Sequence, residues 1–449
     1  MASDSDLPYR QSLDPCFDMA VGEGGLDHDL FRRWLARTGD GLAELRAAAA
    51  SRTWPLLTLP FDDSDLADLA AVTRHLANTC SDVVIAGMGG SSLGGRLLAG
   101  LADPPSLSEP AAAVSGRPRL HTLDNIDPWT ADALVARLDP ATTGWILVSK
   151  SGGTAETLIH ALAVRRAGPG RAGPVVVVTS PGDSPLARFA DATGAIRLAH
   201  DPHLAGRYSL LSVSGLLPAM LAGVDGRAVR DGARAVLAEV TSARAPEQVA
   251  PALGAALNVA MAEERGVSQT IILPYVDRLA PFALWYRQLW AESTGKSGKG
   301  TTPVDALGAV DQHSQLQFWL HGPADKLFTV ITADVAGLGP AADPTLARAV
   351  VAPWLAGRTV GDLMAAEQEA TVQTLTGHGR PVRRLTIARP DGRTVGALAM
   401  HFMLETVLAC RLWQVDPFSQ PAVDEGKALA RRILAGEDGD DESGSGGGV

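Results

Sequence analysis

Gln288 and Glu292 stand four residues apart in a stretch where Phe282, Trp285 and Leu289 recur at helical spacing. Residues at i and i+4 share a helix face, so an amide and a carboxylate would project side by side. Pro281 suits the first turn of such a helix and Gly295 its stop, and the apolar stripe would bury it against the core. A carboxylate held in this way is aimed, and an aimed carboxylate can take a proton from a carbon next to a carbonyl. An isolated glutamate is far more often a solvated helix residue. The reading therefore depends on whether other segments supply an anion site, a cation and an imidazole.

Two turns offer the anion site. The apolar run 82–87 leads into Gly89, Gly90, Ser91 and Ser92, a glycine turn opening a helix, where backbone N–H groups can face an anion. It fits no dinucleotide fingerprint, because the sixth position counted from Gly87 is Ser92 and not glycine. Nor is Gly295-Lys296-Ser297 a Walker loop, since its upstream glycine would fall on Trp290. The second turn, Ser149-Lys150-Ser151-Gly152-Gly153-Thr154, follows the run 144–148. Any one of these hydroxyls alone would read as a helix cap. Three of them, spaced by glycines at the start of a helix, make a phosphate cradle that needs no net positive charge.

The elements that must hold these groups follow from the hydrophobic pattern. Residues 82–87, 144–149, 174–179, 269–274 and 326–332 read as continuously buried strands, each followed by a turn and a helical segment, the pattern of doubly wound parallel sheets. Residues 384–395 read as a late strand and turn, and 397–413 as a long apolar helix. The fold class expected is α/β: two doubly wound parallel-sheet modules in series, at 76–225 and 226–410, behind an N-terminal helical segment at 1–75. A C-terminal helical arm at 411–435 and a disordered acidic, Gly-rich tail at 436–449 complete the division. Substrate is expected in a cleft between the modules, beyond the carboxyl ends of the strands.

Composition narrows the partners. A chain of 449 residues exceeds one ordinary hydrophobic core, and a net charge of −11 argues against nucleic acid or an anionic membrane as the main partner. Cys16, Cys80 and Cys410 are too few and too scattered for a disulfide framework or zinc cluster. No window of about 18 apolar residues marks a membrane span, and no secretory leader is visible, so a cytoplasmic location is expected. His200 and His203 lack further ligands nearby in sequence, so no metal is expected.

Six motifs occur in order: 89–94, 149–154, Gly206-Arg207-Tyr208-Ser209, 288–296, Gln312-His313-Ser314 and 416–427. Together they span roughly residues 85–430, and in this order they resemble the glucose-6-phosphate isomerase family, built from tandem sugar isomerase (SIS) domains. The resemblance implies reversible isomerisation of glucose 6-phosphate and fructose 6-phosphate through ring opening and a cis-enediol, as in glycolysis and gluconeogenesis, with no cofactor. In that scheme Glu292 is the base and Arg207 the cation facing the developing oxyanion, as the chemistry itself would require. His313 and Lys427 match the ring-opening positions, histidine being suited to proton transfer near neutral pH. Gly90, Ser91, Ser149, Lys150, Ser151, Thr154, Gln288 and Gln420 match positions that bind the substrate and its phosphate.

The family also implies a homodimer in which the histidine reaches the cleft from the partner subunit. Ser92, the Ser-Gly-Gly-Thr form of the second turn and Thr294 depart from the commonest family pattern. Some relatives with such a turn also accept mannose 6-phosphate, so a dual activity stands as an alternative. A sugar-phosphate sensor that performs no reaction is the reading from another class. It has no reason to keep Glu292, Arg207, His313 and Lys427 together, and no basic DNA-binding face is visible.

Overall fold

The computed structural model describes residues 7–102, 116–164, 173–242 and 244–437. Ten strands form two five-stranded sheets. Counted along the chain they are β1 (Tyr9–Ser12), β2 (Asp82–Gly87), β3 (Arg119–Leu123), β4 (Thr143–Val148), β5 (Val175–Thr179), β6 (Ile196–Ala199), β7 (Gln269–Pro274), β8 (Thr302–Asp305), β9 (Lys326–Ala333) and β10 (Val382–Ile387). The first sheet runs β3-β2-β4-β5-β6 and is parallel throughout. The second runs β1-β10-β9-β7-β8, parallel except that β1 pairs antiparallel with β10.

Valine, isoleucine and leucine at 83–85, 146–148 and 175–178 bury β2, β4 and β5 on both faces, as a helix-covered parallel sheet requires. β2 and β4 are neighbours, and the winding turns one way from β2 to β3 and the other way from β4 to β5 and β6. The two Gly/Ser turns thus leave the carboxyl ends of adjacent strands at the point where the winding reverses, where open α/β sheets bind ligands.

The second sheet departs from the expected geometry. The helix Ala280–Thr294 crosses from β7 back to the start of β8, so its carboxyl end, which carries Glu292, lies at the amino ends of those strands. The two Gly/Ser turns therefore lie at the carboxyl ends of the first sheet, and Glu292 at the amino ends of the second. The reason is that a crossover helix between parallel strands must run antiparallel to them.

Residues 1–75 were expected to be helical, and the helices His28–Ala36 and Thr38–Ser51 are there. Tyr9–Ser12, however, is a strand that completes the second sheet. A buried polar network ties it down. The Tyr9 hydroxyl meets His401 Nδ1 at 2.6 Å, and His401 Nε2 meets Glu405 Oε2 at 2.9 Å. Glu405 accepts a bidentate pair from Arg383 at 2.8 and 2.6 Å, and Arg383 Nε donates to Gln11 at 2.9 Å. Burial opposes ionisation of Glu405, but Arg383 and His401 outweigh it and hold the carboxyl below its ordinary range.

The late strand ends at Ile387, and the long helix begins at Gly392, capped by Asp391, five residues before its expected start. It continues to Trp413, across the expected module boundary at 410. This helix is long and apolar enough to cross a membrane, yet it is the core helix of the fold, 94% of its most apolar window being buried within the protein. The three cysteines are buried and free. The acidic tail lies, from residue 438 onward, outside the described residues.

Candidate functional site

Four segments meet around one guanidinium. Arg207 sits in the 3₁₀ stretch Gly206–Leu211 and is 1% exposed. All five of its N–H donors have acceptors. Nε donates to Ser293 Oγ at 2.8 Å. Nη1 donates to Glu292 Oε2 at 3.1 Å and to Gln420 Oε1 at 2.6 Å. Nη2 donates to the carbonyls of Pro417 at 2.6 Å and Ser419 at 3.2 Å.

The helix that aims Glu292 is built as its sequence suggests. Pro281 lies in the first turn, and Phe282, Trp285 and Leu289 are buried. The Gly295 N–H closes the last turn on the Ala291 carbonyl. Lys296 Nζ donates to the carbonyls of Glu292 at 2.8 Å and Ser293 at 2.6 Å, placing a cation on the negative end of the helix dipole. Burial pushes that ammonium below the ordinary lysine range. Gln288 Nε2 donates to Glu292 Oε1 at 2.8 Å. Both carboxylate oxygens are thus fixed, while the side chain stays 29% exposed and can meet a substrate. Gln288 Oε1 is buried and has no protein partner.

The first glycine turn packs against this group. Gly89 has φ +54°, and a Cβ there would lie 2.7 Å from Gln288 Nε2. A Cβ on Gly90 would lie 2.2 Å from the carbonyl carbon of Gly206. The turn therefore needs glycine because backbone meets backbone, and the Gly90 carbonyl accepts from Ser209 Oγ at 3.1 Å. Ser91 is partly exposed beside it, and Ser92 is buried, its hydroxyl returning to the Gly89 carbonyl at 3.2 Å.

The second turn closes on itself. Ser149 Oγ and Thr154 Oγ1 are 2.8 Å apart, and the Gly153 N–H donates to Ser151 Oγ at 3.3 Å. Gly152 has φ +62°, and a Cβ on it would strike Ser184 Oγ at 2.1 Å. The hydroxyls of Ser149, Ser151 and Thr154 thus gather at the start of the helix Ala155–Val164, with Ser151 exposed. Burial lowers the Lys150 pKa, Asp201 opposes that, and Arg207 adds to it, so this cation lies within the field of the central guanidinium.

The two ring-opening candidates lie at the surface. Lys427 is exposed on the C-terminal helix Val423–Ala435. That helix touches the 149–154 turn through Arg431, whose Nη2 donates to the Gly153 carbonyl at 3.0 Å. His313 is exposed on the short helix Val310–Ser314. His200, considered for a metal, is buried and donates Nδ1–H to the Asp201 carbonyl at 2.9 Å.

Sequence reasoning missed Ser293, Tyr208 and Arg431. Ser293 adjoins Glu292 and faces Arg207, and the Tyr208 hydroxyl lies 3.1 Å from Ser293 Oγ. Phe418 packs its ring on Tyr208 and on Trp54, anchoring the segment that supplies Gln420. The one available signal was adjacency: Ser293 follows Glu292, Tyr208 follows Arg207, and Arg431 falls one helical turn after Lys427.

Known proteins match this chain over most of its length. The profile of the family described as phosphoglucose isomerase matches residues 71–446. A glucose-6-phosphate isomerase of Rubrobacter xylanophilus is 35% identical over 81% of this chain and 84% of its own. A protein of Halobacterium salinarum named probable glucose-6-phosphate isomerase is 42% identical over 71% of this chain and 74% of its own. Among solved structures, a hypothetical protein from Thermus thermophilus superposes with a TM-score of 0.80 at 31% identity, covering 95% of this chain and all of the other.

Proposed function

The chain belongs to the phosphoglucose isomerase family and interconverts glucose 6-phosphate and fructose 6-phosphate, and from that premise we propose how its own residues carry the reaction. The observation that supports the assignment best is the chain of contacts Gln288–Glu292–Arg207, assembled from segments of both modules.

The phosphate binds at the 149–154 turn, held by the hydroxyls of Ser149, Ser151 and Thr154, by helix amides and by Lys150, with Gly90 and Ser91 of the neighbouring turn lining the sugar. Gln420 helps hold the substrate from the C-terminal segment. His313 and Lys427 open the ring, passing a proton between the ring oxygen and the anomeric hydroxyl. Glu292 then removes the proton from C2, and negative charge builds on the O1 oxygen as the C1–C2 double bond forms. Arg207 stabilises that charge. Glu292 returns the proton to C1 while the hydroxyl proton passes from O2 to O1, and the ketose is complete.

Arg207 has no unused donor in the unliganded protein, so the oxyanion gains one when an acceptor on Nη1 gives way. Gln420, on a short exposed segment, is the acceptor placed to do so. Gln288 keeps the base oriented and offers its unpartnered Oε1 to a sugar hydroxyl.

The working unit is a homodimer in which His313 of one subunit serves the site of the other. Its exposed position supports that reading. Buried, unpaired cysteines and an acidic surface suit a reducing cytoplasm, where the reaction serves both glycolysis and gluconeogenesis.

The decisive experiment follows deuterium placed on C2 of glucose 6-phosphate. Transfer to C1 of the product or exchange into water is expected, both lost in Glu292→Gln. Product that forms while the label stays on C2 overturns the mechanism.

A further inference from the structure

Within the 149–154 turn the only cation is Lys150, in a chain of net charge −11. The far end of the sequence brings a second cation to the same turn. Arg431 Nη2 lies 3.0 Å from the carbonyl oxygen of Gly153 and 4.0 Å from the point where a Cβ on Gly153 would stand. Gly153 sits between the Ser151 and Thr154 hydroxyls, so the guanidinium is already at the rim of the cradle.

We propose that Arg431 is a ligand of the substrate's phosphate, turning from the Gly153 carbonyl to the phosphoryl oxygens when a hexose 6-phosphate enters the turn. The proposal rests on the assignment of the 149–154 turn to phosphate. A planar guanidinium matches two phosphoryl oxygens, and the charged acceptor outcompetes a neutral carbonyl. Arg431 and Lys427 are four residues apart on one helix and so share a face.

The test uses the full chain and two readouts, steady-state kinetics and competitive inhibition by inorganic phosphate. Arg431→Gln keeps a donor for the Gly153 carbonyl and removes the charge. It should raise KM and the phosphate inhibition constant together, roughly fivefold to twentyfold, the range of a charge-assisted hydrogen bond partly open to solvent. The kcat should stay within about twofold, as expected for a contact made equally in ground and transition states. Arg431→Lys should recover most of the loss.

Wild-type values of both constants in Arg431→Gln would overturn the proposal. So would a fall in kcat with the phosphate constant unchanged, the signature of a helix anchor only. Ser151→Ala with Thr154→Ala is run alongside. If that pair weakens phosphate inhibition and Arg431→Gln does not, the cradle stands and Arg431 leaves it. If neither moves it, the cradle assignment fails as well.

Discussion

Glu292 Oε2 and Arg207 Nη1 are 3.1 Å apart although 85 residues separate them in the chain. The proposed base and the cation proposed to answer it are thus one ion pair, its cation fully buried and its carboxylate partly open. A base with both oxygens already engaged costs little to organise when substrate arrives, and its loss should appear in turnover more than in binding.

Glu292→Gln keeps the shape and the partner of Gln288 but cannot accept a proton. The kcat should fall by about 10²–10⁴-fold, the usual worth of a positioned general base, with KM changed by no more than a few fold. Steady-state assays in both directions check this, and turnover within about tenfold of wild type would place the base elsewhere.

Arg207→Lys retains one charge and loses the planar fork that serves Ser293, Gln420, Pro417 and Ser419 together. The expected fall in kcat/KM is about 10²-fold or more. Thermal unfolding of the same sample separates a damaged fold from a damaged site, and a kcat/KM within about threefold of wild type would remove the guanidinium from the oxyanion.

Shared sites in a symmetric dimer make a complementation test possible. Glu292→Gln and His313→Ala proteins, each nearly inactive, are mixed, dissociated and reassembled. Random pairing should restore about a quarter of wild-type sites, because half the dimers are mixed and each of those holds one intact site. No recovery with confirmed subunit exchange would show that both residues act within one chain.

Glu405→Ala removes the partner of Arg383 in a region where both side chains are fully buried. An orphaned buried guanidinium should lower stability by about 3–5 kcal/mol, read from denaturant unfolding. The KM should not move, since the network lies behind the second sheet and ties down its first strand.

Asp82 supplies a pH-dependent contribution. Burial raises its pKa, but Arg119, His121 and Ser81 more than offset this and bring it to about 2; Arg119 and His121 each donate at 2.8 Å. A folded pKa below the unfolded value, about 3.9, stabilises the native state above about pH 4. That stability is lost as pH falls through about 2. Asp82→Asn should therefore cost about 1–3 kcal/mol at about pH 6 and progressively less between about pH 4 and 2. A cost independent of pH would mean that ionisation plays no part.

What could be read from the sequence follows the burial of each element. The six strands recognised from their apolar runs, β2, β4, β5, β7, β9 and β10, are the inner strands of the two sheets. The four that were missed, β1, β3, β6 and β8, are the edges, where one side lacks a neighbour and the hydrophobic run breaks down: Arg119 and His121 in β3, Arg197 in β6, Arg10 and Gln11 in β1. The helix bearing Gln288 and Glu292 was legible because its signal is local periodicity. Ser293 and Arg431 were not, because their roles arise from contacts to Arg207, 86 residues away, and to Gly153, 278 residues away.

The meeting of Gly90 with Gly206 has a mechanical consequence. Two stretches of main chain touch there with no side chain between them, beside the base, the amide and the guanidinium. Clamshell motion about that seam would have to tear this contact open, so Glu292, Gln288 and Arg207 are held as a fixed anvil. Past Pro417 the chain is bonded to Arg207 through Gln420 and to the 149–154 turn through Arg431, so one continuous segment ties the two ends of the candidate site together.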